Sequence, residues 1–267
     1  VSLLNQIKGV ASSPKELQQS INEKNEAALA SLRGARILLV EDNEINQELA
    51  QELLRTNGMR VSVANNGQEA LDILEEYQFD GVLMDCQMPI MDGYQATKRL
   101  REQPRFKNLP ILAMTANAMS SDKEKVLSVG MNDHIAKPID VTEMLVCMAK
   151  WISTEKNNSV DDVKISLPDK AAPITFVDIE GLETDKGLKI CQGNSELYKK
   201  ILLKFVDNQN NFHEHFQQAL IQKDSELMIR QAHTLKGVAG NIGATELYKS
   251  TMQLESSIAN EHSEQDI

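Results

Sequence analysis

Cysteine is scarce in this 267-residue chain: there are three, Cys86, Cys147 and Cys191, widely scattered and without a CxxC pair. That excludes a disulfide framework, a cysteine-held metal clip and a dithiol redox motif, and the three read as reduced, intracellular thiols. Positive charge is scarce as well. With 28 Lys and Arg against 39 Asp and Glu, the formal net charge is -11, and no segment supplies the dense basic stripe that nucleic-acid phosphates require. No apolar run approaches the roughly 20 residues needed to cross a bilayer. The N-terminus starts at Val1 without a signal-peptide pattern. A Gly-rich phosphate loop of the Walker type is missing too, so ATP use belongs elsewhere. The expectation is a soluble, cytoplasmic piece of a longer protein, without direct membrane contact.

What is present falls into two blocks, as the length suggests. Between Arg36 and Trp151, apolar β-prone runs alternate with helical patterns: "RILLV" (36–40), "RVSVA" (60–64), "GVLMD" (81–85), "PILAM" (110–114) and "DHIA" (133–136). Such alternation predicts a parallel sheet covered on both faces. Residues 153–175 lose all periodicity and read as a flexible interdomain linker. Beyond them the chain is all-α, with three helical patterns. The first is one long helix with Leu197, Ile201, Phe205, Phe212, Phe216 and Ala219 on a single face; the second repeats Met228, Ala232, Leu235, Ala239 and Ile242; the third carries Leu247, Thr251, Leu254 and Ile258. A bundle lacking its last helix is expected, with an apolar groove along Phe212, Leu235 and Leu254. The predicted division is residues 1–34 as an N-terminal helical linker or remnant of an upstream domain, 35–152 as the α/β domain, 153–175 as linker and 176–267 as the helical domain.

In "AHTLKG" (232–237), His233 stands inside the second helical pattern. On a helical wheel Lys236, Gly237 and Gly240 lie on its side and the apolar seam on the other, so the imidazole is expected in water. A neutral imidazole there can act as a nucleophile, and Lys236 would neutralise an anion it carries. Two glycines in a helix cost about 1 kcal/mol each against alanine, which points to something docking on that face. A lone surface histidine usually does nothing, and glycines near a helix end can simply mark its cap. His213 and His215 have no such setting, and His262 lies in a polar tail.

Ligands of an open parallel sheet collect at the C-terminal ends of its strands. Those ends carry Glu41 and Asp42, Asp85, Thr115 and Lys137. Three crowded carboxylates call for a divalent cation, and hard oxygen ligands favour Mg²⁺. Asp85 is the candidate nucleophile, with Lys137 and Thr115 placed to neutralise and hydrogen-bond a transferred phosphoryl group.

The motifs "ILLVEDNEINQ", "VLMDCQMPIMDG", "ILAMTANAM" and "GMNDHIAKPID" resemble, in order, the signatures of a response-regulator receiver domain. "AHTLKGVAGNIGA" resembles the histidine-phosphotransfer domain at the end of hybrid sensor kinases. The resemblance implies a flavodoxin-like sheet of order 2-1-3-4-5, Asp85 as phosphoacceptor, and Mg²⁺ held by Glu41, Asp42 and Asp85 with the backbone carbonyl of Gln87. It implies that Thr115 and Lys137 read the phosphoryl group and that His233 takes it, with Lys236 beside it. Its partners would be an upstream histidine kinase domain and a downstream receiver. Two positions depart from the commonest pattern: Glu stands at 41 where Asp is usual, and His134 occupies the place of an aromatic switch residue. Nothing resembles a kinase ATP-binding or dimerisation domain. The leading expectation is a phosphorelay from Asp85 to His233. An output adaptor that keeps its function in His233→Gln is a second. An aspartate-nucleophile phosphatase is a third, weakened because Gln87 stands where its general acid would be.

Overall fold

Five short apolar runs become five parallel strands: β1 (Arg36–Val40), β2 (Arg60–Ala64), β3 (Gly81–Asp85), β4 (Ile111–Thr115) and β5 (Asp133–Ala136). The computed structural model describes residues 30–115, 120–152, 176, 179–209 and 212–265. Most of the expected N-terminal helix and the expected linker at 153–175 lie outside them, as does the side chain of His262. The sheet order is β2-β1-β3-β4-β5, with Leu39 paired to Leu83 and Asp85 to Met114. β3 and β4 are buried at every position, whereas β2 alternates between exposed and half-buried residues up to the buried Ala64, as an edge strand does. β4 begins one residue later than expected, because Pro110 has no N–H to give the ladder.

Five helices flank the sheet: α1 (Glu44–Thr56), α2 (Gly67–Glu76), α3 (Gly93–Glu102), α4 (Ser120–Ser128) and α5 (Val141–Trp151). Four of them start on a capping side chain. Asn43 accepts from the backbone N–H groups of Ile45 and Asn46, Asn66 from Glu69, Asp92 from Gln95, and Asp140 from Thr142 and Glu143. Each cap stabilises its helix by about 1 kcal/mol. Alternate strand residues feed two cores: Ile37, Leu39 and Leu83 pack with α1 and α5, while Leu38, Val40 and Met84 pack with α2 and α3.

The second block holds α6 (Thr184–Ile190), α7 (Ser195–Gln209), α8 (Phe212–Gln222), α9 (Ser225–Ile242) and α10 (Thr245–Gln265). The long helix expected across Leu197 to Ala219 is described as two segments, α7 and α8, and residues 210 and 211 between them lie outside the described residues. Their apolar faces keep the expected residues but serve different cores: Leu197 and Ile201 join the core that includes β1 and α1, and Ala219 joins a small cluster with Met228 and Ile258. α9 packs mainly on α10 and ends at Gly243, whose φ of 81° suits the left-handed cap. Tyr198, fully buried, donates from its hydroxyl to the Ile242 carbonyl at 2.9 Å.

The two blocks share a core. Ile45 and Leu49 of α1 pack in one cluster with Leu197 and Ile201 of α7 and Val238, Ala239 and Ile242 of α9. No helix among the described residues is long and apolar enough to cross a membrane.

Candidate functional site

β3 ends at Asp85, β4 at Thr115, and Lys137 follows β5, so the parallel register delivers all three to one edge, where Glu41 and Asp42 leave β1. Ordinary duties for such acids are taken by others: the caps are Asn43, Asn66, Asp92 and Asp140, and neither Glu41, Asp42 nor Asp85 caps a described helix. Lys137 Nζ lies 2.6 Å from Asp85 Oδ2 and 2.7 Å from Glu41 Oε2, with all three side chains almost sealed from solvent. The backbone N–H of Gln87 donates to Asp85 Oδ1 at 3.2 Å. Thr115 is buried beside them. Gly93 allows this packing, since a Cβ there would stand 2.2 Å from the Asp85 carbonyl oxygen.

Carboxylate oxygens of Glu41, Asp42 and Asp85 come within 4.8 Å of one another. Crowding shows in their acidities. Burial, with the Asp85 charge added to it, pushes Asp42 up to about 6 against the pull of Lys137 and Arg230. Burial does the same to Glu41, lifting it to about 8 although Lys137 opposes. Burial would lower the Lys137 pKa, but the charges of Asp85 and Glu41 outweigh it and raise it. Three hard oxygen donors that resist sharing negative charge suit a small divalent cation such as Mg²⁺.

The histidine is not in water. His233 is 8% exposed and Lys236 is fully buried: both meet Glu255 of α10, and the glycines of the face that the helical wheel assigns to solvent lie along the α/β domain. The stripe His233, Gly237, Asn241 recurs every four residues of α9. A Cβ on Gly237 would meet Asn46 Nδ2 at 3.6 Å and Lys137 Cδ at 3.9 Å, and one on Gly240 would meet Pro138 Cβ at 3.1 Å. Asn241 Nδ2 donates to Asn46 Oδ1 at 3.0 Å, and Asn241 Oδ1 accepts from the Ile139 N–H at 3.3 Å. Asn46 Nδ2 in turn donates to Glu41 Oε1 at 2.9 Å. A continuous run of polar contacts thus joins Asp85, Lys137, Glu41, Asn46 and Asn241. One turn before His233, Arg230 shares a cavity of about 230 Å³ with Asp42, Thr234 and Leu235. Phe212 and Leu235 of the expected groove line this cavity, and Leu254 does not.

On its other side His233 meets a residue that local sequence did not announce. Nδ1 lies 2.8 Å from Glu255 Oε1, and the other Glu255 oxygen accepts from Lys236 Nζ. Burial acts to raise the Glu255 pKa, but these two partners outweigh it and hold the carboxyl below its usual range. With Nδ1–H donated to Glu255, the lone pair of the neutral ring resides on Nε2, which is buried and has no hydrogen-bond partner. Lys236 is thus a partner of Glu255 rather than a solvent-facing cation. His134 sits in β5 with Nδ1 3.6 Å from Asp133 Oδ1. Burial pushes the thiols of Cys86 and Cys191 up to about 12 and that of Cys147 up to about 11, away from the thiolate form that reacts.

Residues 37–149 match the family model of the response regulator receiver domain, and residues 200–267 match that of the Hpt domain. Sensor histidine kinase GacS of Pseudomonas protegens is 30% identical over 236 residues, covering 86% of this chain and 25% of its own length. Aerobic respiration control sensor protein ArcB of Escherichia coli is 28% identical over 229 residues, covering 84% of this chain and 28% of its own. The chain therefore spans about a quarter of the length of these relatives. Among solved structures, the receiver domain of sensor histidine kinase PA1611 from Pseudomonas aeruginosa, with a magnesium ion in its active site cleft, is 42% identical. It covers 44% of this chain and 97% of that one, with a TM-score of 0.42.

Proposed function

We propose, for a chain that belongs to the receiver family over residues 37–149 and to the Hpt family over residues 200–267, that Asp85 and His233 pass one phosphoryl group between them. The observation that carries this is the docking of α9 on the acid site: Gly237, one turn from His233, abuts Lys137, whose Nζ is 2.6 Å from Asp85. Both nucleophiles are largely shielded from solvent, Asp85 at 2% and His233 at 8% exposed, and positioning with charge neutralisation does most of the work of phosphoryl transfer.

Asp85 takes the phosphoryl group from the phosphohistidine of an upstream kinase domain: a carboxylate oxygen forms the P–O bond as the donor P–N bond breaks. His233 Nε2 next attacks that phosphorus. The P–N bond forms, and the P–O bond electrons return to the Asp85 carboxylate. Glu255 holds the Nδ1 proton throughout, which keeps the Nε2 lone pair available and spreads the charge that develops on the ring. Lys137, with Thr115, faces the phosphoryl oxygens. Glu41, Asp42 and Asp85, with the Gln87 carbonyl, would hold Mg²⁺, which offsets the charge of the transferring group when bound. From His233 the group continues to the aspartate of a separate receiver. This reading takes residues 35–152 as the receiver, 153–175 as linker and 176–267 as the phosphotransfer domain.

Incubation of the full chain with acetyl phosphate and Mg²⁺ tests it. Label is expected on the wild type and on His233→Gln, and it is absent from Asp85→Asn. Normal labelling of Asp85→Asn would overturn the assignment.

A further inference from the structure

The face of α9 that carries His233 has room for one α/β domain at a time, and in this chain it holds the chain's own. The centre of that contact is neutral and buried, with Asn46 against Asn241 and the Ile45 and Leu49 side chains against Val238 and Ile201. Contacts of that kind give strength without discriminating sharply between similar domains. The rim differs. Glu48 of α1 accepts from Lys200 Nζ at 2.6 Å and from Lys204 Nζ at 3.2 Å. The two lysines stand four residues apart on α7 and so form a two-cation cradle on one helix face. They hold the Glu48 carboxyl below its usual range although its burial acts the other way. Glu52, one turn further along α1, lines a cleft of about 440 Å³ with Glu48, Lys199 and Lys200, and Glu196 at the start of α7 lines it too. The acids of α1 thus face an α7 surface of mixed charge in which Lys200 and Lys204 are the cations that hold Glu48.

We infer that Glu48, seated between Lys200 and Lys204, is a charge latch that selects this chain's own receiver for the His233 face and keeps a separate receiver out until it opens. The inference rests on the relay reading for its consequence, though not for its geometry. The Glu48, Lys200 and Lys204 side chains are 25%, 55% and 33% exposed. Such pairs add little to fold stability, but a like charge brought to the same place is repelled, so they act on the choice of partner. An incoming receiver must displace the resident one, and it matches the cradle only if it presents an acid at the position of Glu48. Salt weakens the latch, since partly exposed charges are screened.

Charge reversal with full-length chains tests this. A donor carrying His233→Gln is loaded on Asp85 with acetyl phosphate and mixed with an acceptor carrying Asp85→Asn and an intact His233. Adding Glu48→Lys to the acceptor opens its latch, and transfer between chains is expected to rise about fivefold to tenfold. In a chain with Asp85 and His233 both intact, Glu48→Lys slows internal transfer by a similar factor and leaves acetyl phosphate loading unchanged. Adding Lys200→Glu and Lys204→Glu to Glu48→Lys restores internal transfer and closes the acceptor to the donor again. Small-angle scattering gives a readout independent of chemistry: Glu48→Lys, which sets a third cation against Lys200 and Lys204, enlarges the radius of gyration, and the triple reversal returns it to the wild-type value. Rates within twofold of wild type together with an unchanged radius in Glu48→Lys would overturn the latch. A radius that responds as expected, with no label ever reaching His233, would instead uphold the latch and overturn the relay.

Discussion

Replacing Glu255 with glutamine leaves an oxygen for the His233 ring but removes the charge shared by His233 Nδ1, 2.8 Å away, and the fully buried Lys236. A hydrogen bond to a charged group contributes about 1.5–3 kcal/mol and a neutral one about 1 kcal/mol. The change therefore removes on the order of 1.4 kcal/mol of support for the ring as it becomes cationic, which corresponds to about tenfold in rate. Glu255→Ala goes further. Breaking a largely buried ion pair from one side costs about 3 kcal/mol, a fall in melting temperature of more than about 10 °C for a helical domain of this size. The assays are rapid-quench transfer from loaded Asp85 to His233 and thermal unfolding by circular dichroism. Nitrogen-15 shifts of the imidazole add a direct check, with the wild type showing its proton on Nδ1. A Glu255→Gln protein with wild-type transfer, an unmoved melting temperature and a ring protonated on Nε2 would refute the reasoning.

Gly237→Leu places a long side chain where a Cβ already meets Asn46 and Lys137 within 4 Å; loading of Asp85 is expected to stay normal while transfer to His233 falls at least about a hundredfold, as a displaced reacting group requires. Mg²⁺ should raise the melting temperature of the wild type by several degrees at concentrations about a hundred times its dissociation constant, a stabilisation of about 2.7 kcal/mol, and Asp42→Asn should abolish most of that rise in calorimetry. Asp133 accepts from Lys150, Trp151 and the His134 N–H. Burial opposes these bonds, yet they hold its carboxyl at about 2. A depressed carboxylate stabilises the fold above its unfolded pKa, and that contribution is lost as pH falls through the folded value. The melting-temperature difference between wild type and Asp133→Asn should therefore be complete at pH 7 and shrink between about pH 4 and pH 2.

The α/β domain was legible because a parallel sheet buried on both faces writes itself as apolar runs. Four of the five strands match their expected bounds, and β4 is displaced by one residue at Pro110. Strand ends then named Glu41, Asp42, Asp85, Thr115 and Lys137 without side-chain coordinates. The helical domain was less legible. Periodicity gave α7 and α8 one apolar face, but a helical phase does not say which core each part of the face serves, and here Leu197 and Ile201 join one core and Ala219 another. The burial of His233 and Lys236 was misjudged for a related reason. A helical wheel reports which side is polar and not what covers it: His233 and Lys236 meet Glu255 of the next helix, and Asn241 on the same helix meets Asn46, 195 residues earlier. Glu255 lies 22 residues after His233 on the next helix, so no local spacing marks it. The glycines were the one readable hint of docking, because Gly237 and Gly240 made sense only with a close neighbour. That neighbour is the receiver of the same chain.

The central claim, that Asp85 and His233 exchange one phosphoryl group, is tested most directly by following label on the full chain after a brief exposure to acetyl phosphate and Mg²⁺. The account predicts that base-labile acyl phosphate appears first and is replaced by acid-labile phosphohistidine, and that His233→Gln stops the sequence at the first species. Acid-labile label that forms equally fast in Asp85→Asn, or a wild-type protein whose label stays base-labile throughout, would contradict it.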